Sequence, residues 1–312
     1  MRKPIALVGI GKIARDQHVP ALAASPDWEL AATVSRDPEG VAGVAHFTDL
    51  QAMLDARPDI EVVSLCLPPV PRYAYASAAL KAGRHVMLEK PPGATLAECH
   101  ALQALAAAQG RVIYASWHSR AAGMVAPARD WLAGRTLRRL RVIWKEDVRR
   151  WHPGQDWIFA PGGMGVFDPG INALSIVTAI LPDPIHVIGA DLHVPASRQA
   201  PIAAQIRFHH PTAAEVTADL DFLQTGEQTW TIAAETDQGA MQLHFGGSRM
   251  VVDGVEQPGA DPDPLNAEYP RLYAHMARLV AEGRSDMDLA PMVHVADAFT
   301  LGQRIAAAPF EF

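Results

Sequence analysis

The chain has 312 residues, a length that favours two domains, each large enough to bury a hydrophobic core. Hydrophobic residues make up 49% and charged residues 20%, which is typical of a globular protein and excludes a disordered or fibrous chain. Because the formal net charge is -7, the molecule repels nucleic-acid backbones and anionic lipid headgroups, so we expect no nucleic acid and no membrane as partners.

The first third of the chain carries short, nearly continuous apolar runs, which predict strands buried on both faces. These strands are predicted at residues 5–8, 29–34, 61–67, 85–88 and 112–116. Segments of helical period lie between them, at residues 14–24, 49–56, 73–81 and 97–107. Repeated strand–helix–strand units predict a doubly wound parallel sheet, and we place this domain at residues 1–120.

From residue 121 the predicted strands lengthen and alternate apolar with polar residues; residues 216–222 are polar at every odd position. Similar strands are predicted at residues 140–144, 187–192, 206–210, 230–234 and 241–245. Such alternation predicts an open, mostly antiparallel sheet with one packed and one partly solvated face, over residues 121–290. Two further helices are predicted at residues 172–181 and 293–307. Because such sheets often pair with their own copy, a homodimer is a reasonable expectation.

The two cysteines, Cys66 and Cys99, lie in apolar surroundings without CxxC spacing, which argues against a disulfide framework or a metal cluster. We expect no metal. The first apolar run is too short for a signal peptide, and no stretch reaches the roughly 20 apolar residues that span a bilayer. These features predict a cytoplasmic protein.

A glycine-rich turn follows the first predicted strand and opens a helix, the context of a dinucleotide-binding fingerprint. Its sequence is Gly9-Ile10-Gly11-Lys12-Ile13-Ala14. The first glycine permits a tight turn, Gly11 lets the backbone approach a pyrophosphate, and the helix N-terminus offers free N–H groups to the anion. The alternative is an ordinary strand–helix turn, but the surrounding pattern favours a nicotinamide cofactor.

The end of the second predicted strand indicates which cofactor is preferred. An NAD site usually places an acidic residue there, whereas this chain has Ser35-Arg36. A guanidinium suits a 2′-phosphate, so NADP is predicted as the preferred cofactor and NAD as the second. Two readings stay open, because Arg36 could be a solvated loop residue and Asp37 could still approach the ribose.

The ends of two later strands are also expected to face the cofactor, since open α/β sheets bind ligands at the carboxyl ends of their strands. Leu67 ends the third predicted strand and Pro68 follows it, while Glu89 and Lys90 follow the fourth. Lys90 would face the nicotinamide; the alternative is a surface lysine that closes a strand.

A second glycine-rich segment, residues 162–172, leads into a helix and carries Asp168 and Asn172, four residues apart and therefore on one helix face. A purely structural reading is attractive here, because Asp168 followed by Pro169 is a common helix start that needs no catalytic role.

Together, the Gly9–Ala14 turn, Glu89-Lys90-Pro91 and Asp168-Pro169-Gly170-Ile171-Asn172 resemble the glucose-fructose oxidoreductase/inositol dehydrogenase/MocA family over essentially the whole chain. The resemblance implies a Rossmann domain, an open-sheet domain, and a C-terminal helix within residues 291–312 that packs back on the Rossmann domain. Many members carry histidine where this chain has Asn172. The asparagine form is similar to the family's aldose 1-dehydrogenases, which oxidise L-arabinose or D-galactose at the anomeric carbon.

The resemblance also implies roles for side chains. Lys90 and Asp168 would handle the O1 proton, with Asp168 as the preferred acceptor, and Asn172 would orient the sugar. Further contacts to the sugar are expected from His118, Glu146 and His152, with Trp151 as an apolar wall; Trp230 is expected in the core.

Two other functions remain open. One is oxidation of inositol or of a ring hydroxyl other than C1, for which histidine at position 172 would be more expected. The other is a non-catalytic dinucleotide-dependent sugar sensor, which would need neither Lys90 nor Asp168.

Overall fold

The computed structural model describes residues 2–312 and forms two compact units. The first unit contains the chain up to His118 together with Asn266–Leu289, and the second contains Ser119–Leu265 together with Ala290–Phe312. Within residues 2–312, no helix combines the length and apolar character that a membrane span requires.

A six-stranded parallel sheet forms the centre of the first unit, as the sequence predicted. Its strands are β1 (Lys3–Val8), β2 (Trp28–Val34), β3 (Ala45–Phe47), β4 (Val62–Leu65), β5 (His85–Glu89) and β6 (Ile113–Ser116). Their spatial order, β3-β2-β1-β4-β5-β6, reverses direction between β1 and β4, the point at which doubly wound sheets bind ligands. The edge strand β3 was not predicted from the sequence.

The helices of the first unit are α1 (Val19–Ala23), α2 (Leu50–Ala56), α3 (Pro69–Lys81), α4 (Leu96–Ala108) and α8 (Pro264–Glu282). A wider, π-helical turn, Ala14–His18, precedes α1, and the backbone N–H of Val19 donates to the carbonyl of Ala14. Side-chain oxygens of Asp49 and Thr95 cap α2 and α4.

The second unit is built on a mixed, mostly antiparallel nine-stranded sheet. Its strands are β7 (Leu137–Lys145), β8 (His186–Pro195), β9 (Ala203–His209), β10 (Glu215–Asp221), β11 (Thr229–Thr236), β12 (Gly239–His244), β13 (Arg249–Val252), β14 (Val255–Glu256) and β15 (Gln303–Ala307). Among the described strand pairs of this second sheet, only β10–β7 and β15–β8 are parallel. In β10, Val216, Ala218 and Leu220 are buried while the alternate residues are half-buried, which confirms the predicted two-faced strand.

The helices of this unit are α5 (Val125–Leu132), α6 (Val148–Trp151), α7 (Phe167–Ile180) and α9 (Ala290–Leu301). The predicted helix at residues 293–307 was wrong in its second half, because the helix ends before Gly302 and the chain continues as β15. A Cβ at Gly302 would lie 2.4 Å from the carbonyl oxygen of Ala298, so this position requires glycine.

The helix grouping also differs from the expectation. Helix α9 packs on β8 and α7 within the second unit, whereas residues 266–289, which contain most of α8, belong to the first. The chain is fixed there by backbone pairing, since Ala115 N–H donates to the carbonyl of Asp286 at 2.9 Å. An amphipathic helix does not reveal from its own sequence which sheet it covers, which explains the difference.

Candidate functional site

The first glycine turn has the geometry that a dinucleotide needs. Gly9 has φ +87°, and a Cβ there would lie 2.9 Å from the backbone nitrogen of Leu67, so the turn requires glycine. Gly11 differs, because a Cβ at this position would meet no protein atom within 4 Å. Packing within the protein therefore does not require glycine at position 11. Close approach of a ligand to the backbone would require it.

The turn borders a cleft of about 260 Å³ at the switch point between β1 and β4. The residues that line the cleft are Val8, Gly9, Ile10, Gly11, Val34, Ser35, Arg36, Asp37, Thr48, Cys66, Leu67, Pro68 and Tyr75. Most of the predicted cofactor contacts are in this set. Lys12 and Ile13 are not in it; both lie at the start of the following helix, where the Lys12 ammonium pairs with Asp16.

Ser35 and Arg36 stand at the carboxyl end of β2, as predicted. The Ser35 hydroxyl donates to the carbonyl of Asp37 at 2.8 Å, which orders the loop, and the Arg36 side chain is exposed beside the cleft. The carboxylate of Asp37 accepts from the backbone N–H of Glu39 at 3.0 Å. At this end of β2, the guanidinium of Arg36 is therefore an exposed cation that lines the cleft.

Glu89 and Lys90 follow β5, and the Lys90–Pro91 peptide is cis. The predicted contact between Glu89 and the cofactor is not supported, because the Glu89 side chain is only 4% exposed and both carboxylate oxygens bind protein groups. One oxygen accepts from the backbone N–H of Lys90 at 2.7 Å and the other from the Tyr269 hydroxyl at 2.7 Å. Glu89 therefore supports the chain at Lys90 from within the first unit.

Two buried side chains that were not predicted hold this strand end. Arg72 of α3 donates to the backbone carbonyls of Leu67, Glu89 and Pro91, which ties the ends of β4 and β5 together. His18, fully buried, lies 3.2 Å from Glu89 through Nε2 and 2.7 Å from the Tyr273 hydroxyl through Nδ1.

Electrostatics keep the Glu89 carboxyl ionised. Burial on its own would raise the pKa of Glu89, but hydrogen bonds from His18 and Tyr269, with the positive charges of His18 and His118, lower it to about 2. Burial would likewise lower the pKa of His18, yet Cys66, Tyr273 and Glu89 around it raise that pKa well above its usual value. The two groups form a buried ion pair.

His118, predicted to contact the sugar, follows β6 in the first unit. Its Nδ1 lies 2.5 Å from a carboxylate oxygen of Glu268, and its ring stacks on Tyr269 with centroids 5.6 Å apart. His118 therefore contacts Tyr269, the residue whose hydroxyl donates to Glu89.

The second unit positions Asp168. The helix α7 begins at Phe167 with Val166 as its N-cap, so Asp168 lies in the first turn and the structural reading of Asp168 as the cap was wrong. The preceding loop requires its glycines: a Cβ at Gly163 would lie 2.2 Å from the carbonyl oxygen of Trp157, and one at Gly165 would lie 2.1 Å from that of Pro201. This close packing fixes the start of α7.

Three predicted sugar contacts form one polar cluster in this unit, which we call the Asp168 cluster: Glu146, His152 and Asp168. The Nε2 atom of His152 lies 3.5 Å from an oxygen of Asp168 and 3.8 Å from an oxygen of Glu146. Both carboxylates are buried and the imidazole is half-buried. The two carboxylates can accept hydrogen bonds from hydroxyl groups, and an imidazole nitrogen can either donate a hydrogen bond or accept a proton. The cluster is therefore suited to binding hydroxyl groups and to accepting a proton.

Aromatic side chains border the Asp168 cluster. The Trp230 indole N–H donates to Glu146 at 2.9 Å, and its ring lies 5.3 Å from that of Trp151. Trp230 is half-buried, so its assignment to the core was wrong; a lone tryptophan in a strand gives no sequence signal that separates the two roles. Asn172 lies one turn after Asp168 on α7 and is half-buried, as the i, i+4 spacing predicted.

A Rossmann sheet with a glycine turn at its switch point defines a dinucleotide-binding protein. Residues 3–116 match the model of the oxidoreductase family with an NAD-binding Rossmann fold. The chain is 42% identical to galactose 1-dehydrogenase of Pseudomonas fluorescens over 310 residues, which is 98% of each chain. It is 31% identical to dTDP-3,4-didehydro-2,6-dideoxy-alpha-D-glucose 3-reductase of Streptomyces antibioticus over 71% of this chain and 69% of that protein.

Among solved structures, the crystal structure of D-galactose-1-dehydrogenase from Rhizobium etli is similar with a TM-score of 0.94 and 51% identity, covering 99% of this chain and 98% of that one. The chain belongs to the oxidoreductase family with an NAD-binding Rossmann fold, which confirms the resemblance that the motifs indicated. It is therefore an enzyme of the nicotinamide-dependent oxidoreductase class.

Proposed function

We propose that the chain oxidises an aldopyranose at C1 to the aldonolactone. The observation that carries this proposal is the Asp168 cluster, in which the His152 imidazole lies within 4 Å of two buried carboxylates, beside tryptophan rings. A sugar presents several hydroxyl donors and apolar ring faces, which such a cluster suits. The similarity to galactose 1-dehydrogenases over nearly the full length supports the same substrate class.

The dinucleotide, when bound, supplies the nicotinamide that takes the hydride from C1. Oxidation of a hemiacetal also requires loss of the O1 proton, and we assign this step to Lys90 and Asp168. Lys90 hydrogen-bonds O1 and relays the proton, Asp168 accepts it, and Asn172 orients the sugar through its amide. The turn at Gly9–Gly11 and the cleft beside Arg36 would hold the dinucleotide.

NADP is the cofactor that we propose as preferred, with NAD as the second. Support comes from the exposed guanidinium of Arg36 at the cleft, since a charge-assisted bidentate pair fits a phosphate. The carboxylate of Asp37 already accepts a backbone hydrogen bond and is the weaker partner for a ribose diol. We also propose a homodimer in the cytoplasm, where both buried cysteines, Cys66 and Cys99, stay reduced.

The sugars that we propose are L-arabinose and D-galactose, with L-arabinose preferred. Their pyranose rings carry the same hydroxyl arrangement and differ only in the hydroxymethyl group at C5. The bulky Trp151 and His152 would crowd that substituent. D-glucose and D-xylose invert the C4 hydroxyl, which would leave a buried polar group unpaired at a cost of about 1–3 kcal/mol.

The test is kcat/KM for these four sugars with NADP at fixed pH, for the wild type and for Asp168→Asn. We expect the two inverted sugars to be at least about tenfold poorer, and Asp168→Asn to lower kcat by about 10²-fold with unchanged NADP binding. Equal values for all four sugars would refute the stereochemical assignment. A normal kcat with raised KM in Asp168→Asn would make Asp168 a binding group only.

A further inference from the structure

The first unit contains a continuous hydrogen-bonded chain of buried side chains, which we call the Glu89 network: Ser64, His18, Glu89, Tyr269 and Tyr273. The Tyr273 hydroxyl donates to Ser64 at 3.3 Å, and the Tyr269 hydroxyl donates to Glu89 at 2.7 Å. The proposed reaction assigns no direct role to any of these side chains. A buried carboxylate is costly to maintain, so an ion pair at this position calls for a reason.

The contacts and the charges around His18 together indicate where the protons are. The Tyr273 hydroxyl lies 2.7 Å from Nδ1 of His18 and 3.3 Å from the Ser64 hydroxyl, so it can accept a proton from Nδ1 while it donates to Ser64. The ionised carboxylate of Glu89 only accepts, so the contact of 3.2 Å between Glu89 and His18 needs a proton on Nε2. Because its neighbours also raise the pKa of His18 well above its usual value, the ring carries a proton on both nitrogens and is the imidazolium cation.

One bond of Glu89 leads out of the network. Its second carboxylate oxygen accepts from the backbone N–H of Lys90 at 2.7 Å. The other oxygen is held by His18 and Tyr269, and neither can move far because both are buried. The carboxylate therefore has a fixed orientation, and this orientation fixes the backbone from which the Lys90 side chain extends.

We propose that His18 is a positioning residue: as an imidazolium it holds the Glu89 carboxylate, and Glu89 in turn holds Lys90 in place for proton transfer. The inference rests on the proposed role of Lys90. The titratable groups that act on the His18–Glu89 pair include Cys66, Tyr273, Tyr269 and His118, and Glu268 acts in turn on Tyr269. The Arg72 guanidinium donates to the backbone carbonyl of Glu89.

Kinetics of single and double variants test this proposal. His18→Leu removes both donors, and Tyr269→Phe removes one hydroxyl from the same carboxylate. We expect each to lower kcat about tenfold, with the Kd of NADP changed less than about twofold. In a Lys90→Ala background, the same substitutions should lower kcat no further, because their effect passes through Lys90.

Control variants distinguish the positioning of Lys90 from a general disturbance of the fold. Tyr114→Phe removes a hydroxyl from another buried tyrosine of the first unit and should leave kcat unchanged. His18→Gln keeps an N–H donor toward Glu89 and should recover part of the lost kcat. If the substitutions lower kcat by the same factor with and without Lys90, the role is structural and the proposal fails. If Lys90→Ala itself turns over normally, the catalytic assignment of Lys90 fails instead.

Nitrogen-15 NMR of histidine-labelled protein gives a readout that is independent of turnover. The His18 signals, identified by their absence in His18→Gln, should show both ring nitrogens protonated at pH 8, and Glu89→Gln should convert them to those of a neutral ring. A neutral His18 ring in the wild type at pH 8 would overturn the proposal, whatever the kinetics show.

Discussion

Replacing Gly11 by alanine should separate cofactor binding from folding. A Cβ at position 11 meets no protein atom within 4 Å, so the free energy of unfolding should change by less than about 1 kcal/mol. The same methyl group enters the space through which a pyrophosphate approaches the backbone. Loss of one charge-assisted hydrogen bond is worth about 1.5–3 kcal/mol, so the Kd of NADP should rise about 10- to 100-fold.

Gly9→Ala is the matched comparison. Its φ of +87° costs an alanine about 1–2 kcal/mol, and the Cβ would lie 2.9 Å from the Leu67 backbone nitrogen. This variant should therefore lose both stability and cofactor affinity, with a fall in Tm of about 2–8 °C. Thermal unfolding without cofactor and fluorescence titration with NADP measure the two effects. If Gly11→Ala folds normally and binds NADP as the wild type does, the assignment of the cleft is refuted.

Three further predictions concern other parts of the molecule. Arg36→Ala should lower kcat/KM for NADP about 10- to 100-fold and leave that for NAD nearly unchanged, and an unmodified enzyme that strongly prefers NAD would contradict this. Trp230→Phe removes the N–H that donates to Glu146 at 2.9 Å, so steady-state kinetics should show a KM for the sugar raised about 3- to 10-fold, whereas an unchanged KM would remove Trp230 from the site. Because the pKa of Glu89 is lowered to about 2, its ionised form stabilises the fold above about pH 5, and this stabilisation is lost as the pH falls toward 2. Denaturant unfolding between these pH values should therefore show a steeper fall in the free energy of unfolding for the wild type than for Glu89→Gln. Parallel pH dependences of the two proteins would contradict the ion pair.

The sequence predicted those parts of the fold whose signals are local. Long apolar runs revealed β1, β2, β4, β5 and β6, since strands buried on both faces have no polar positions. Strand β3 was not predicted because it has only three residues, all at least partly exposed. Gly302 was a local signal for the end of α9 that the apolar pattern beyond it obscured.

The residues of the candidate site also divide into those with a local sequence signal and those without one. Gly9, Arg36 and Asp168 were recognisable because each stands next to a strand end or a helix start. The Glu89 network was not, since His18 meets Tyr269 and Tyr273, which lie about 250 positions away in the chain. Contacts of such long range leave no pattern in a single sequence.

Transfer of deuterium from C1 tests the proposed reaction most directly. D-Galactose labelled with deuterium at C1 is incubated with the enzyme and NADP, and both products are examined by NMR. Oxidation at the anomeric carbon predicts deuterium at C4 of the reduced nicotinamide, together with the galactonolactone. Unlabelled reduced cofactor accompanied by a keto sugar that keeps its deuterium would place the oxidation at another ring carbon and contradict the proposed function.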